Sequence, residues 1–475
     1  MPWRAGDSRS RSRYRNSHQH RRHEAQCRHD SRSSRSWSLR RSPRHSSRRP
    51  SRRSRSCCRY GSGSRGGGSS RASSWRQPRR RHRRSSGKMS RRRRRRCAAR
   101  HPRPDQGASE VSRSPRGIRR SHWKWHPGQE LGPSGRYVVE QQFGTGAFSC
   151  VLGCLDRKMC KPVAVKVLAV KGSSERQQRK AKQEIDVLRL LDAQGGARHS
   201  CVRLLDSFVH GQLFHCLVFE SLGTSLTDIL ENSGERGFLL ADVQTIARQL
   251  LGALAFIHSA GLVHADVKGK NIMLRSGDFS LVPHPRCLHG VPYQAPRLHR
   301  PCEVVLIDFG CALVPPIGGD QKTPRPGARQ IRAPEVILGL QWDILIDVWS
   351  LGCVLGALYK GCKLFSVHDD MEHLATIEHL LDASVPRSMS CQVSERILAK
   401  GVVFDSRWHL AWPSCARDAR AVQRVKNLQR LQDFVLPRHD SFLEFLLGLL
   451  EIEPRKRLTV QAALEAKFLT LPVVE

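Results

Sequence analysis

The chain has 475 residues, enough for two or three average domains, and a formal net charge of +41. Residues 1–125 hold 41 of the 82 Lys and Arg residues but five of the 41 Asp and Glu residues, so a strongly basic segment precedes a body of nearly balanced charge. No apolar run reaches the roughly 18 residues of a membrane span and no secretory signal is recognised, which argues against membrane and secreted classes.

Residues 1–122 consist mainly of Arg and Ser, as in RRSPRHSSRRPSRRSRSCCRY. The segment has no sustained apolar period, so it cannot bury enough apolar surface to offset its chain entropy. We predict that it is disordered. An organelle import sequence is the less favoured interpretation, because such sequences are amphipathic and far shorter. The 16 Cys residues of the chain occur mostly singly in apolar contexts, which favours reduced thiols over disulfides.

Composition changes over residues 123–136, WKWHPGQELGPSGR, which we interpret as a linker, so the folded body is predicted to begin at Tyr137. The stretch RYVVEQQFGTGAFSCVLGCLD then predicts two antiparallel strands joined by a tight loop. Gly144 and Gly146 would let backbone amides of this loop approach a phosphate. Ser149 replaces the third Gly of the G-x-G-x-x-G pattern. Taken alone, the loop is better interpreted as a plain hairpin turn.

The next predicted strand, PVAVKVLAV, carries a single charged residue, Lys166. An ammonium group in an otherwise apolar strand requires a nearby anion. The helix predicted after it, RQQRKAKQEIDVLRLLDAQ, places Glu184 at the border of its apolar face, where it can pair with Lys166. In the alternative interpretation, Lys166 reaches solvent and Glu184 is one more exposed helix charge.

Three polar residues, Asp266, Lys268 and Asn271, interrupt the apolar segment LVHADVKGKNIML, and Asp308 ends the strand in EVVLIDFGCAL. Burying such groups is costly unless they are satisfied, which indicates a use for them. Asn271 and Asp308 offer hard oxygen ligands for Mg²⁺. Asp266 can accept a proton from an attacking hydroxyl, and Lys268 can neutralise charge on a moving phosphoryl group. Phosphoryl transfer requires this set.

The order of these elements, followed by RAPEVIL, resembles the eukaryotic protein kinase family over residues 137–471. The resemblance implies an α+β, bilobal kinase domain over residues 137–472: a small β-rich N-lobe (137–220) and a larger helical C-lobe (224–472), with ATP between them. It implies that FESLG is the hinge that meets adenine, that Glu335 pairs with Arg457, and that Asp347 braces the catalytic loop. The nucleotide-binding residues so implied are Gly144, Gly146, Val151, Ala164, Lys166, Glu184, Phe219, Glu220, Leu222, Asn271 and Asp308.

Two further features resemble the LAMMER kinases, also called the CLK family. Thirty-six residues separate Asn271 from Asp308, and the insert within them, residues 275–303, is rich in Pro, Gly and His, which predicts a surface excursion. EHLATIEHLLDASVP looks like a degenerate LAMMER motif. The resemblance implies a nuclear Ser/Thr kinase, with a dual ability that extends to Tyr in autophosphorylation, acting on Arg/Ser-rich splicing factors.

The sequence also departs from the family pattern. Ala265 replaces the Arg that usually precedes the catalytic Asp, so activity is expected not to depend on a phosphorylated activation loop. Gly269, Lys270, Ala328 and Ile331 are further departures that could lower activity or alter substrate choice. Two other functions stay open on the sequence alone: a weakly active or inactive kinase-fold scaffold, and a protein that binds RNA or another polyanion through its basic tail.

Overall fold

The computed structural model describes residues 124–145, 149–169, 175–212, 214–234, 236–276, 279–284, 294–315 and 325–475. The predicted disorder of residues 1–122 and the position of Gly146 lie outside this part of the chain. Within it, a β-rich N-lobe precedes a helical C-lobe, which confirms the predicted bilobal fold.

The N-lobe is built on a six-stranded sheet with the strand order β1-β2-β3-β4-β6-β5, in which every neighbouring pair is antiparallel. Two smaller sheets pair β7 with β10 and β8 with β9. The described strands are β1 Glu130–Leu131, β2 Tyr137–Thr145, β3 Ser149–Asp156, β4 Lys161–Ala169, β5 Leu204–His210, β6 Phe214–Glu220, β7 Ile272–Leu274, β8 Phe279–Pro283, β9 Gln294–Leu298 and β10 Val304–Leu306.

The two faces of the N-lobe sheet have different partners because successive side chains of a strand point to opposite faces. Along β4, Val163, Val165 and Val167 are buried in a core of the N-lobe itself, together with Leu131 and Tyr137. The intervening side chains of β4 belong to the other face. This alternation leaves Lys166 on the face opposite the N-lobe core.

The interpretation of residues 123–136 as a linker is wrong, because strand β1 lies within them and pairs with the start of β2. Leu131 is fully buried. Arg136 donates to both carboxylate oxygens of Asp156, at 2.9 and 2.7 Å, and to Asp206 at 3.1 Å. A strand of two residues within a Gly- and Pro-rich stretch is too short to produce an alternating pattern in the sequence.

The C-lobe is organised around α3 and α5, which contact each other in one large core. Helix α5 is buried almost all round, as expected for a helix that is apolar on every side. The described α-helices are α1 Glu175–Ala193, α2 Leu226–Asn232, α3 Leu240–Ser259, α4 Pro334–Ile337, α5 Leu345–Lys360, α6 Asp370–Leu381, α7 Arg387–Ser390, α8 Glu395–Leu398, α9 Ala419–Lys426, α10 Leu431–Phe434, α11 Asp440–Leu449, α12 Val460–Leu464 and α13 Lys467–Thr470.

By length and composition alone, α3 could cross a membrane. Its buried side chains, including Val243, Leu250 and Ile257, instead belong to the core of the C-lobe.

Short 3-10 turns lie in the loops at Pro133–Gly135, Gly196–His199, Gly269–Asn271, Phe309–Cys311, Arg329–Ile331 and Pro437–His439.

The insert at residues 275–303 is only in part the surface excursion that was predicted. Strands β8 and β9 form an antiparallel pair, and Ala295 and Leu298 of β9 are buried. The backbone amide of Leu298 donates to Asp242 of α3 at 2.9 Å, and Arg300 pairs with the same carboxylate at 2.8 Å. One strand of the insert therefore packs onto the C-lobe core, which its Pro-rich composition did not indicate.

Candidate active site

The ammonium group of Lys166 lies between two carboxylates. Its Nζ is 2.5 Å from Glu184 Oε1 on α1 and 2.7 Å from Asp308 Oδ1 in the loop after β10. Glu184 is 4% exposed, so the interpretation of this residue as an exposed helix charge is wrong. The predicted pair of Lys166 with Glu184 is confirmed, and Asp308 is a second partner that the sequence did not indicate.

These contacts favour the charged forms of Lys166 and Asp308 despite their burial, whereas burial raises the pKa of the Glu184 carboxyl although Lys166 opposes this effect. Burial lowers the pKa of the Lys166 ammonium, but Glu184 and Asp308 outweigh this effect and raise the pKa to about 12. Burial alone would raise the pKa of the Asp308 carboxyl. The nearby Lys166 ammonium reverses this shift and holds the pKa of Asp308 below its ordinary value. A cation is thus held in a polar gap between the lobes, where an anionic ligand can replace or join its carboxylate partners.

The loop before β7 brings together the three polar residues noted in the sequence. Lys268 Nζ lies 2.5 Å from Asp266 Oδ2. The side-chain amide of Asn271 donates to the backbone oxygen of Asp266 at 2.9 Å and to Asp266 Oδ2 at 3.2 Å. Asp266 and Asn271 are buried, at 7% and 5% exposure, and the amide nitrogen of Asn271 is bonded to Asp266. These hydrogen bonds offset part of the free-energy cost of burying the two polar side chains.

Asp347 on α5 fixes the backbone of this loop. Its carboxylate accepts from the amides of His264 and Ala265, both at 2.8 Å, and from the His258 ring at 3.1 Å. Ala265 has a φ of +64°, a left-handed conformation that costs energy for a residue with a Cβ atom. The two charge-assisted hydrogen bonds hold this conformation, so the bracing role implied for Asp347 is confirmed.

Two features place Asp308 beside the loop of Asp266. Strands β7 and β10 pair, and the amide of Ile307 extends this ladder by donating to the Asn271 backbone oxygen at 2.8 Å. His264 accepts from the Asp266 amide through Nδ1 at 3.2 Å, so its other ring nitrogen carries the proton and donates to the Ile307 oxygen, also at 3.2 Å. Asp308 itself has a φ of +67°, which turns the chain at this point.

Of the residues implied for nucleotide binding, Gly144, Val151, Ala164 and Phe219 lie on the sheet face that carries Lys166. In the ladder, Val151 is opposite both Gly144 and Lys166, and Ala164 is opposite Phe219. Residues opposite each other share a face, as do residues two apart in one strand, so these side chains face one gap. Gly144 belongs to β2 and has open space where a Cβ would project.

The hinge links this gap to the C-lobe. Phe219 and Glu220 end β6, and Leu222 follows in the irregular stretch before α2 and packs against the C-lobe core. The amide of Gly223 donates to the Leu274 oxygen at 2.8 Å. Arg275 pairs with Glu220 at 2.5 Å and with Glu303 at 2.6 Å. Arg275 was missed in the sequence, because no local pattern links residues 55 positions apart.

The residues present suit a divalent metal bound with nucleotide phosphates. The nitrogen of the Asn271 amide is used by Asp266, so its oxygen remains as a ligand, and one Asp308 oxygen is bonded to Lys166. Among the residues that the structure describes, no group of three or more His, Cys, Asp or Glu side chains could hold an ion. A metal at Asn271 and Asp308 would therefore depend on phosphate and water oxygens for its other ligands.

Comparisons with known proteins agree with this geometry. The model of the protein kinase domain family matches residues 137–469. The serine/threonine-protein kinase AFC2 of Arabidopsis thaliana is 33% identical over 357 residues, which are 73% of this chain and 79% of AFC2. The human dual specificity protein kinase CLK1 is 31% identical over 344 residues, 71% of this chain and 66% of CLK1. A crystal structure of a kinase domain superposes with a TM-score of 0.67 at 32% identity, covering 73% of this chain and 98% of that one.

Proposed function

Because the chain belongs to the protein kinase family, as a serine/threonine kinase of the CLK/AFC type, we propose that it transfers the γ-phosphoryl group of ATP, bound with Mg²⁺, to serines of Arg/Ser-rich splicing factors. The observation that carries the catalytic part is the position of Lys166, which is bonded to Glu184 and Asp308 and shares its sheet face with Gly144, Val151, Ala164 and Phe219. A kinase domain uses ATP and a divalent metal, and the proposal is that this metal is Mg²⁺.

In the proposed reaction the hydroxyl oxygen of the acceptor serine bonds to the γ-phosphorus of ATP, and the bond from that phosphorus to the bridging oxygen of ADP breaks. Asp266 accepts the hydroxyl proton, and Lys268, 2.5 Å from Asp266, stabilises charge on the transferred group. Lys166 neutralises charge on the ATP phosphates, and Glu184 keeps the Lys166 ammonium in place. Mg²⁺, when bound, would add charge neutralisation at the phosphates, with Asn271 and Asp308 as its protein ligands.

The substrate and the cellular location are proposed from composition. The Arg/Ser steps of residues 1–122 resemble the substrates expected for the family, so the tail can serve both as substrate and as a means of association with Arg/Ser-rich proteins. Basic runs such as KMSRRRRRRCAAR support import into the nucleus. We extend the proposal to Tyr autophosphorylation, by analogy with the dual specificity of the relative CLK1. A further consequence of the tail charge is nonspecific binding of RNA, through counterion release.

A time course of ³²P transfer from ATP to an Arg/Ser peptide tests the proposal. The Asp266→Asn variant should lose about 100-fold or more in rate, because the proton acceptor is removed. Asp186→Asn is the matched control, since this exposed carboxylate on α1 lies outside the described site. If the wild type transfers no more phosphate than Asp266→Asn, the scaffold interpretation replaces the proposal. Equal loss in both variants would mean that Asp266 has no special role.

A further inference from the structure

The hinge is attached to β7 by its backbone. The amide of Gly223 donates to the Leu274 oxygen at 2.8 Å, and the amide of Leu274 donates to the Thr224 oxygen at 3.0 Å. Strand β7 itself follows directly on Asn271 of the catalytic loop. One strand of three residues therefore joins the segment that is implied to bind adenine to the loop that carries the proposed phosphoryl-transfer groups.

Arg275, the residue after β7, adds a side-chain connection to the first part of the hinge. Its guanidinium lies 2.5 Å from a carboxylate oxygen of Glu220, the last residue of β6, and 2.6 Å from a carboxylate oxygen of Glu303. The Arg275 amide also donates to the Glu303 backbone oxygen at 2.9 Å. These two contacts with Glu303 orient the Arg275 side chain toward Glu220.

Arg275 compensates the charge of Glu220. Glu220 lies opposite Val163 in the β4–β6 ladder, so its side chain belongs to the sheet face of the N-lobe core and not to the face of Lys166. One of its carboxylate oxygens is bonded to Arg275, and the other is buried with no hydrogen-bond partner among the residues that the structure describes. A carboxylate in this position is costly without a nearby cation. Loss of the Arg275 charge should therefore displace the Glu220 side chain toward solvent.

Displacement of Glu220 would move the backbone that is implied to meet adenine. Successive side chains of a strand point to opposite faces, so Phe219 faces the nucleotide gap while Glu220 lies behind it. Leu222, two residues further on, packs against the C-lobe core. The hinge backbone is therefore held at Glu220 through Arg275 and at Leu222 through the C-lobe core.

We propose that Arg275 is a positioning residue for the nucleotide base. Through Glu220 it holds the hinge backbone where adenine binds, which raises both the affinity for adenine nucleotides and the preference for ATP over GTP. The two purines present different donors and acceptors, so a displaced backbone loses discrimination as well as affinity. The inference rests on the proposed function, since it concerns the nucleotide side of the same active site.

Titration with a fluorescent ADP analogue in the presence of Mg²⁺ tests this inference. We expect Arg275→Gln to weaken binding about tenfold, which corresponds to the loss of one charge-assisted hydrogen bond. Arg275→Lys keeps a positive charge within reach of Glu220 and should recover part of this loss. Arg297→Gln, at an exposed arginine on β9 of the same insert, is the matched control and should bind as tightly as the wild type. Wild-type affinity of Arg275→Gln would overturn the inference.

Steady-state kinetics separates positioning of the base from a general structural effect. Arg275→Gln should raise KM for ATP and lower the ratio of kcat/KM for ATP to that for GTP. Both kcat at saturating ATP and KM for the Arg/Ser peptide should stay within about twofold of the wild type. Loss of folded enzyme would instead lower kcat and leave the KM values and the ATP-to-GTP ratio unchanged, and this result would overturn the inference.

Glu220→Gln tests the route of the effect. If Arg275 acts through Glu220, addition of Arg275→Gln to Glu220→Gln causes no further loss of nucleotide affinity. A further loss as large as that in the wild-type background would overturn the inference. Binding of the ADP analogue without phosphate transfer by the wild type would overturn the proposed function alone, and the binding titrations would still decide the role of Arg275. Absence of nucleotide binding by the wild type would overturn both.

Discussion

The guanidinium of Arg457 forms two hydrogen bonds, of 2.7 and 2.9 Å, to the carboxylate of Glu335, and both side chains are buried. The same guanidinium lies 5.2 Å from the ring centroid of Trp349. The pairing implied by the family resemblance is therefore confirmed. Arg457→Met would leave the Glu335 charge buried without its partner, so we expect the free energy of unfolding, measured with urea, to fall by about 3–5 kcal/mol.

The neighbouring Lys456 provides the control for this prediction. It pairs with Glu453 at 2.9 Å, but its side chain is 68% exposed, so solvent screens the interaction. Lys456→Met should leave the urea midpoint within experimental error of the wild type. Equal destabilisation by the two substitutions would contradict a special role for burial of the Glu335 pair.

Lys166→Met should reduce kcat by at least about 100-fold, because the ammonium acts chiefly on charge that develops during transfer. Unfolding measured by circular dichroism should stay cooperative, since Lys166 faces the gap between the lobes and contributes nothing to the N-lobe core. Lys161→Met, at the exposed start of the same strand, is the matched control and should keep wild-type kcat. A near-normal kcat for Lys166→Met would show that this residue does not bind the phosphates.

His373 makes the free energy of unfolding depend on pH. Burial, reinforced by the nearby Arg332, lowers the pKa of its ring from 6.5 to about 3. Between these values the unfolded chain binds a proton that the folded chain does not, so stability contributed by the neutral ring is lost as pH falls through this window. His373→Leu should reduce the slope of unfolding free energy against pH by up to about 1.4 kcal/mol per pH unit between about pH 4 and 6.

Urea unfolding at several pH values measures this slope. His299→Leu serves as the control, because His299 is exposed and follows β9 at the surface. It should keep the wild-type slope. A slope unchanged by His373→Leu would mean that another group determines the acid sensitivity.

Two truncations distinguish the basic tail from the folded domain. Deletion of residues 1–122 should leave a folded, active kinase and abolish nuclear accumulation of a fluorescent fusion, because the tail holds the strongest basic runs. Deletion of residues 1–136 also removes the fully buried Leu131 and the Arg136 side chain that binds Asp156. It should cost about 2 kcal/mol or more of unfolding free energy. Equal stability of the two truncated proteins would show that β1 contributes nothing to the fold.

The tail should also be a substrate of the kinase. Arg/Ser steps such as Arg9-Ser10 and Arg53-Ser54 resemble the sites that the family modifies. Each phosphate adds about −1.5 to −2 charges, so on the order of twenty phosphoserines would neutralise the excess positive charge of residues 1–125. Phosphorylation should weaken RNA binding at fixed salt, because fewer counterions are released from the RNA.

Intact mass after incubation with ATP and Mg²⁺ counts the phosphates, and RNA titrations compare wild type with Asp266→Asn before and after incubation. Only the wild type should gain mass in residues 1–122 and lose affinity for RNA. Unchanged affinity after extensive phosphorylation would show that the charge of the phosphates does not control RNA binding. The tail would then serve only as a nuclear localisation signal.

The amino-acid sequence by itself determined the kinase fold and indicated the residues that we propose as catalytic groups. Phosphoryl transfer needs particular residue types in a fixed chain order, so Lys166, Asp266, Asn271 and Asp308 were recognisable without coordinates. The apolar periods around them likewise predicted a β-rich lobe before a helical one. These signals are local, since each depends on residues within one strand, helix or loop.

Only the tertiary structure decided which groups meet across the chain. Asp308 lies 142 positions after Lys166, and Arg329 meets Asp370 across 41 positions. Such contacts depend on the approach of two backbones and the reach of two side chains, neither of which is encoded in local periodicity. For the same reason the sequence did not indicate strand β1, which forms because Leu131 is buried beside Tyr137 in the N-lobe core.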